Sequence, residues 1–409
     1  MPSQALAGVR ILDLSRILAA PFASQLLGDL GAEVIKIERP GKGDDARYYG
    51  PPFLDTGDAN CQREAAFYLS CNRNKKSVTI DHSKEEGRAL LLKLAAKSDV
   101  VLENFRTGVL AKYGLDYEGI KAVNPGIIYC SVTGFGQDGP YAQRPGYDGV
   151  FQAMSGMMAA TGLPDGVPGG GPTKIGISMV DILTGFYASN ASLAALYHRD
   201  AKGGEGQHID LALLDCGVAS LSHFAQNYLV SGEVPPRRGN GGFGGIPSQT
   251  FQCADTHIFL TAGTEKQYMA LCDVLGAPQL ATDSRFATGP DRIANREALL
   301  AALDHAFAKQ SAAHWLTALD AADVPASAVN TLPQVFENPQ VQHRKMLRTI
   351  AHPTAGTMDI LANPIRMSGT PIGAYQAPPM LGQHNEEALG ELLGLDTAAI
   401  SGLRAGGVI

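Results

Sequence analysis

The sequence predicts an α/β fold, in which a Rossmann-like large domain with a parallel sheet is followed by a smaller α+β domain. Strand-like and helix-like segments alternate through the first third of the 409 residues, as they do in sheets built from strand–helix–strand units. A stretch dense in proline and glycine, Gly232–Pro247, then interrupts the pattern. Shorter segments follow it, so we expect the domain boundary near this stretch.

The elements of the large domain follow from their hydrophobic patterns. Short apolar runs predict five buried strands: Val9–Leu14, Glu33–Glu38, Ser77–Ile80, Asp99–Phe105 and Gly126–Val132. Between the first two strands, Ile17–Leu30 reads as an apolar helix that ends at Gly31. Ser83–Glu86 has the spacing of a capping box and predicts a helix to about Lys97.

Fewer regular elements are predicted in the second half of the chain. Asp181–Arg199 reads as a long apolar helix, and Gln207–Leu214 alternates polar and apolar residues like a strand exposed on one face. Thr250–Ala262 begins the smaller domain. We predict three regions: a large domain over residues 1–225, a small domain over 226–330, and a proline-rich segment over 331–409 that returns to the large domain.

Composition and charge exclude several classes of protein. The chain is 45% apolar and 18% charged, with a net charge of −7 and a mean hydropathy of −0.03, which is typical of a globular enzyme. An acidic chain does not favour nucleic-acid binding. The apolar runs are too short to span a bilayer, and the first residues lack a signal or transit pattern. We therefore expect a cytoplasmic protein without a membrane partner.

Patterns that would indicate a built-in cofactor are weak. Gly239–Gly244 matches G-x-G-x-x-G, but it does not lie between a strand and a helix as a dinucleotide site requires. We interpret it as a mobile glycine loop near an active site or as a structural loop. The ten histidines show no metal-ligand spacing. Six cysteines form no C-x-x-C pair and are expected to be buried thiols: Cys61, Cys71, Cys130, Cys216, Cys253 and Cys272.

We interpret three basic positions as lying just after predicted strands. They are Arg39, the Arg73–Lys76 cluster and Lys112. The carboxyl ends of parallel strands form the ligand-binding edge of an open α/β sheet. Each of these cations alone is more often a solvated surface charge, but together they indicate a phosphate-binding edge.

Asp181 is an unusual charge, because it stands among apolar and small residues in the segment Gly176–Ser189. A lone carboxylate is costly to bury unless it is hydrogen-bonded. One interpretation is a helix N-cap, a position that favours aspartate. The other is a nucleophile or an acid–base group held at the start of a helix. The local pattern leaves both open.

Several segments together resemble the class III coenzyme A transferases, the CaiB/BaiF family. They match in order and spacing over nearly the whole chain: Gly8–Phe53, Cys71–Asp81, Val101–Tyr117, Ser131–Asp148, Gly176–Ala188 and Pro378–Glu387. The resemblance implies an enzyme whose substrates are an acyl-CoA and a small carboxylic acid, with no tightly bound cofactor. It also implies ring-shaped subunits that interlock as a homodimer.

The resemblance assigns roles residue by residue. The family's catalytic aspartate falls on Asp181. Its adenine and 3′-phosphate contacts fall on Leu18, Ala19, Arg39, Cys71, Asn72, Arg73, Asn74 and Lys75. Pantetheine and diphosphate contacts fall on Asn104, Phe105 and Lys112, and a further coenzyme-contacting stretch contains Arg144 and Tyr147. The glycine loop that shields intermediates in some relatives falls on Gly241–Gly245, and so includes Gly244 and Gly245.

The implied reaction moves coenzyme A from an acyl-CoA to an acid, through an acyl-aspartyl anhydride and an aspartyl-CoA thioester on Asp181. Gly43–Phe53 and the chain length are most similar to the branch that uses succinyl-CoA with glutarate, itaconate, mesaconate or malate. The second carboxylate of such an acid needs a cation in the acyl pocket. The candidates are Arg16, Arg47 and Arg237.

Three alternatives stay open. An α-methylacyl-CoA racemase of the same fold would use a histidine where this chain has Tyr147, and tyrosine, with a pKa of about 10, is a poor base at neutral pH. A transferase of the formyl-CoA–oxalate or carnitine type would act on other acids. A coenzyme A-binding protein without catalysis would not need Asp181.

Overall fold

The structure is a computed structural model that describes residues 4–55, 63–242 and 244–409. The chain divides into two compact units. The first is drawn from residues 1–158, 174–233 and 343–409, and the second from residues 159–173 and 234–342. The divisions near 233 and 342 lie somewhat beyond the predicted ones, and residues 159–173 belong to the smaller unit.

A six-stranded parallel sheet forms the centre of the first unit. Its strands are β1 (Arg10–Asp13), β2 (Glu33–Glu38), β3 (Lys75–Thr79), β4 (Val100–Glu103), β5 (Ile128–Thr133) and β6 (Gln207–Ala212). They are arranged in the order β3-β2-β1-β4-β5-β6, and every neighbouring pair is parallel. This is the strand order of the Rossmann fold, in which the order reverses between β1 and β4. The predicted α/β class is confirmed.

Helices follow most of these strands. In chain order they are α1 (Ala19–Asp29), α2 (Ala66–Leu69), α3 (Glu85–Ala95), α4 (Tyr117–Val123), α5 (Asp148–Met154), α6 (Met157–Ala160), α7 (Met179–Lys202), α8 (Leu213–Ala219), α9 (Ser222–Ser231), α10 (Glu265–Val274), α11 (Pro278–Thr282), α12 (Gly289–Ala294), α13 (Arg296–Phe307), α14 (Ala312–Ala321), α15 (Leu332–Glu337), α16 (Pro339–His343), α17 (Asn385–Leu393) and α18 (Thr397–Ala405). The 3₁₀ turns are Asp45–Tyr48, Leu110–Tyr113 and Ser284–Phe286. The remaining strands are β7 (Ser248–Gln252), β8 (His257–Thr261), β9 (Ala326–Ala328), β10 (Leu347–His352) and β11 (Gly356–Leu361).

The large sheet is buried on both faces. Ile11 and Val34 lie in a core that also contains residues of α1 and α7. Leu12 and Ile35, their neighbours in sequence, lie in the opposite core with residues of α3, α4, α17 and α18. Successive strand residues point to opposite faces, so a strand buried on both sides is a continuous apolar run. This is why the short apolar runs of the sequence identified the strands.

The C-terminal part of the chain returns to the first unit from His343 onwards. Asn385, at the start of α17, accepts a hydrogen bond from the Thr79 backbone N–H and donates one to the Thr79 hydroxyl, both at 2.8 Å. These bonds fasten α17 to the end of β3. Strands β10 and β11 form an antiparallel hairpin in the same unit.

The second unit has its own core. Strands β7, β8 and β9 form an antiparallel sheet in that order. Phe251, Phe307 and Trp315 are buried together between this sheet and the helices that follow it. The unit is therefore α+β, as the sequence predicts. Among the residues that the structure describes, no helix combines the length and apolar character needed to cross a membrane.

Two predicted helix starts differ from the structure. Helix α1 begins at Ala19 rather than Ile17, because Ile17 has a left-handed backbone with φ of 74°. Helix α3 begins at Glu85, and its preceding residue makes no side-chain cap. Ser83 bonds Asp81 through both its N–H and its hydroxyl instead, so the capping box predicted at Ser83 is not formed.

Candidate active site

A cleft opens where the strand order reverses, at the carboxyl ends of β1 and β4. In open α/β sheets this point is the usual ligand site, because the loops after the two strands diverge there. The cleft, together with the open space at its mouth, measures about 1070 Å³. It brings together these predicted residues: Arg16, Leu18, Ala19, Asn104, Phe105, Arg144, Tyr147 and Asp181.

Asp181 is the third residue of α7 and is not its N-cap. Ser178 occupies the cap position without a side-chain cap bond. Asp148, from α5, takes over the capping role: its carboxylate accepts from the N–H of Val180 at 2.9 Å and from the N–H of Asp181 at 3.3 Å. The Asp181 carboxylate is therefore not used by its own helix, which corrects the helix-cap interpretation.

The Asp181 carboxylate has no compensating partner among the described residues. Burial, and after it the negative charge of Asp148, raise its pKa to about 7. A carboxylate kept at such a pKa inside a cleft is typical of a reacting group rather than a structural one. Asp148 is itself anchored by Gln152, whose side-chain amide donates to it at 2.7 Å.

A second, mainly apolar pocket adjoins the cleft. Leucine and isoleucine side chains line it, and Arg39 and His82 stand beside them. Arg16 and Phe105 line both cavities, and the Arg16 guanidinium lies 5.4 Å from the Phe105 ring centre. Arg16 also pairs with Asp45 at 3.1 Å. One ligand could therefore extend from the apolar pocket past Arg16 to Asp181.

The predicted basic edge is only partly present. Arg39 is exposed directly after β2, and Lys112 is exposed on the 3₁₀ turn after β4. The cluster around Arg73 and Lys75, however, stands at the amino end of β3, which begins at Lys75, so the cluster leads into this strand and does not follow one. Lys75 pairs in register with Val34, at the start of β2. The placement of this cluster on the ligand-binding edge is therefore wrong.

The cations of this cluster are also neutralised inside the fold. Arg73 donates to the Asp29 carboxylate at 2.9 and 2.5 Å. Lys75 is fully buried and donates to Asp13 at 3.1 Å and to Asn72 at 2.8 Å. Cys71 and Asn72 are buried as well, and Asn74 donates to Asp29 at 2.8 Å. In this structure the side chains of Cys71–Lys75 hold the sheet to α1 and are not available to a phosphate.

The three cations predicted for a distal carboxylate lie in different surroundings. Arg16 lines the cleft. Arg47 is fully buried and pairs with Glu38 at 2.7 Å and with Glu64, so its charge is already compensated. Arg237 belongs to the second unit, where it pairs with Asp165.

The predicted glycine loop also belongs to the second unit, and its Phe243 lies outside the described residues. Close packing explains the glycine at position 245, because an added Cβ would come within 2.7 Å of the Gly263 backbone. At Gly244 an added Cβ would meet nothing. The loop's predicted shielding role stays a prediction.

Several residues in or beside the cleft escaped sequence reasoning. Asp148 caps α7 from another helix, so the local sequence pattern shows it only as an acidic residue at the start of α5. Asp45, Tyr49 and Arg106 also line the cleft. The first two lie in Gly43–Phe53, which the resemblance identified only as a segment. Five of the cysteines are free and buried, and Cys61 is outside the described residues. No group of metal-ligating side chains occurs in the described part of the chain.

Comparisons with known proteins agree with this fold. The family model "CoA-transferase family III" matches residues 6–385. A human succinyl-CoA:glutarate CoA-transferase is 42% identical over 404 residues, 99% of this chain and 90% of the relative. An acetyl-CoA:oxalate CoA-transferase from Acetobacter aceti is 40% identical over 363 residues, 88% of this chain and 89% of the relative. The crystal structure of a CaiB/BaiF family protein from Brucella suis is 44% identical, with a TM-score of 0.85 over 96% of this chain and all of that one.

A Rossmann-type sheet with a cleft at its reversal point and an unpaired carboxylate in that cleft is the arrangement of an α/β enzyme. The chain belongs to CoA-transferase family III and is a CoA-transferase. The predicted enzyme class is confirmed.

Proposed function

We propose that this enzyme transfers coenzyme A from succinyl-CoA to a small dicarboxylic acid, with Asp181 as the covalent relay. The observation that carries the proposal is the unpaired Asp181 carboxylate in the cleft, with its pKa raised to about 7 by burial and by Asp148. The acids are proposed from the relatives, among them one named for succinyl-CoA and glutarate.

The reaction proceeds by exchange of acyl groups at one carboxylate. Asp181 attacks the thioester carbonyl, the carbon–sulfur bond breaks, and an acyl-aspartyl anhydride and the coenzyme A thiolate form. The thiolate attacks the aspartyl carbonyl, which releases the first acid as its carboxylate and leaves an aspartyl-CoA thioester. The incoming carboxylate repeats these steps in reverse order. No proton, metal or nucleotide is consumed, so the energy of the thioester is retained.

The coenzyme is proposed to extend along the two adjoining cavities. The adenine would lie among the leucines and isoleucines of the apolar pocket, with its 3′-phosphate near Arg39. The diphosphate would pass Arg16 and Phe105, which line both cavities, and Lys112 would supply a further cation from the turn whose Leu110 lines the apolar pocket. Pantetheine would then run along Leu18 and Ala19 to Asp181, opposite Arg144 and Tyr147. This moves Leu18 and Ala19 from the adenine and 3′-phosphate contacts that the family resemblance implies to the pantetheine.

Arg16 fits the coenzyme better than the distal carboxylate of the acid. It stands where the two cavities meet, whereas the acyl group must lie beyond the thioester, on the far side of Asp181 from the adenine. Its salt bridge with Asp45 keeps the guanidinium partly neutralised until an anion replaces that partner. Arg16→Gln tests this placement, because the loss of a coenzyme contact should raise KM for acyl-CoA by the same factor whichever acid is the acceptor.

The enzyme is further proposed to be the interlocked homodimer that the family resemblance implies. Helix α9 buries none of its residues in the single chain, and it exposes 72% of Leu229 and 78% of Val230. A helix with an exposed apolar surface of this kind is typical of a protein interface. Native mass spectrometry should find a dimer at micromolar concentration, and a monomer would contradict this proposal.

The transfer itself is tested with Asp181→Ala and a panel of acids. Purified enzyme is mixed with succinyl-CoA and glutarate, itaconate, mesaconate, malate, oxalate or carnitine, and new acyl-CoA products are read by mass spectrometry. We expect transfer to at least one dicarboxylic acid by the natural enzyme and none by Asp181→Ala, which should still bind coenzyme A. Deuterium exchange at the α-carbon of an acyl-CoA without any transfer would contradict the proposal and favour the racemase.

A further inference from the structure

The backbone between β1 and α1 is held by side chains that come from outside it. In the cleft this turn carries Arg16, Leu18 and Ala19, next to Asp181. The Asn104 side chain accepts from the Arg16 N–H at 2.8 Å and donates to the Arg16 carbonyl at 2.7 Å. The amide oxygen and the amide nitrogen of Asn104 therefore both hydrogen-bond the backbone of Arg16.

The next residue, Ile17, is held in a conformation that isoleucine rarely adopts. Its φ of 74° lies in the left-handed region, which costs a β-branched L-residue about 1–2 kcal/mol. The Ile17 N–H donates to the Asp44 carboxylate, at 3.1 and 3.3 Å to its two oxygens. Asp44 is buried and pairs with the buried Lys36 at 2.9 Å, and Lys36 also donates to the Ser15 carbonyl at 2.9 Å.

The helix that carries Asp181 accommodates this turn closely. Gly185 lies one helical turn after Asp181, and an added Cβ there would come within 2.8 Å of the Ala19 carbonyl oxygen and of the Phe22 ring. The start of α1 therefore lies directly against the start of α7. A strained conformation that persists only because surrounding groups fix it is often part of a functional site.

We propose that Asn104 and Asp44, whose side chains bond the backbone of the Arg16–Ala19 turn, are positioning residues of the transfer reaction and fix this turn against Asp181. This proposal rests on the function proposed above. It changes the role of Asn104 from the coenzyme contact implied by the family resemblance to a support of the cleft wall. A shift of about 1 Å in such a wall is enough to cost about 100-fold in rate.

Asn104→Ala is the first test, with Asn124→Ala as its matched control. Asn124 also bonds backbone, donating to the carbonyls of Ala95 and Ser98 at 3.0 and 2.8 Å, but at the amino edge of the sheet. We expect Asn104→Ala to slow formation of the aspartyl-CoA thioester in a single turnover at saturating acyl-CoA by about 10- to 100-fold. The Kd of free coenzyme A should stay within about threefold, and Asn124→Ala should change neither quantity.

Two results would overturn the proposal for Asn104. A raised Kd with an unchanged single-turnover rate would make it a coenzyme contact, and an unchanged rate and Kd would make it dispensable. Asn104→Asp keeps the acceptor for the Arg16 N–H but loses the donor to the Arg16 carbonyl, so its rate should lie between those of the natural enzyme and Asn104→Ala. This variant keeps the test decisive if Asn104→Ala does not fold.

Glycine at position 17 provides the rescue experiment. Asp44→Asn should slow the same single turnover, because it weakens the acceptor for the Ile17 N–H. Glycine adopts positive φ without strain, so adding Ile17→Gly should restore at least a third of that lost rate. If the double variant is as slow as Asp44→Asn alone, Asp44 does not act through Ile17. Retained transfer by Asp181→Ala would instead contradict the proposed function itself, so the two failures can be told apart.

Discussion

Removing the charge of Asp148 should move the pH dependence of the enzyme in a definite direction. Burial and the charge of Asp148 raise the pKa of Asp181 from 3.8 to about 7. Only the ionised carboxylate can attack a thioester, so kcat/KM for the acyl-CoA should rise as pH increases through about 7 and level off above it. Because burial is the larger cause, Asp148→Asn should return less than half of the pKa rise and move the profile down by about one pH unit.

The assay is kcat/KM at subsaturating acyl-CoA from pH 5 to 9 at constant ionic strength, with product acyl-CoA quantified by mass spectrometry. Asp148→Asn also places an amide N–H₂ against the donor of Gln152, so stability should fall. Gln152→Ala is the matched control, because it removes the same hydrogen bond and keeps both carboxylates. A profile that Asp148→Asn leaves in place or moves upwards would refute the electrostatic reasoning, and so would an equal downward shift in Gln152→Ala.

Three further predictions follow from the same structure. Asp181→Asn should stabilise the protein against urea unfolding by about 2 kcal/mol at pH 8 and by less at pH 5. The pKa of Asp181 is raised in the folded state, so the cost of ionising this carboxylate in the fold grows as pH rises from about 4 to 7. An equal gain at both pH values would contradict the raised pKa. Arg16→Gln should raise KM for acyl-CoA by about tenfold whether the acceptor is glutarate or butyrate, and a loss confined to glutarate would instead assign Arg16 to the distal carboxylate. Arg47→Met should cost about 3–5 kcal/mol of unfolding free energy, because it removes the buried cation that Glu38 and Glu64 share. Arg39→Gln should leave the melting temperature within 2 °C or so and weaken coenzyme binding. The reverse pattern would show that Arg47 faces the substrate.

The sheet was predictable because its strands are buried on both faces. β1 and β2 appear in the sequence as short apolar runs, and the observed strands lie within a residue or two of the predicted ones. Strand order is not contained in such runs, since it depends on contacts between segments far apart in sequence. The order that places Asp13 of β1 beside Lys36 of β2 could be inferred only through the fold class.

The candidate site was predicted less evenly. Asp181 stood out because a carboxylate among apolar residues needs an explanation, but Asp148, which caps α7 and raises the pKa of Asp181, comes from another helix and carries no local signal. The basic cluster at Arg73 and Lys75 was wrongly expected to be free for a phosphate, because charge alone does not show its partners. Those partners, Asp29 and Asp13, are more than forty residues away.

The central claim is that Asp181 carries coenzyme A covalently, and peptide-mapping mass spectrometry tests it most directly. The enzyme is mixed with succinyl-CoA, quenched in acid and digested. We predict a coenzyme A adduct in thioester linkage, removed by hydroxylamine, on the peptide that contains Asp181 and absent from Asp181→Ala. An adduct on another residue, or full transfer activity in Asp181→Ala, would contradict the account.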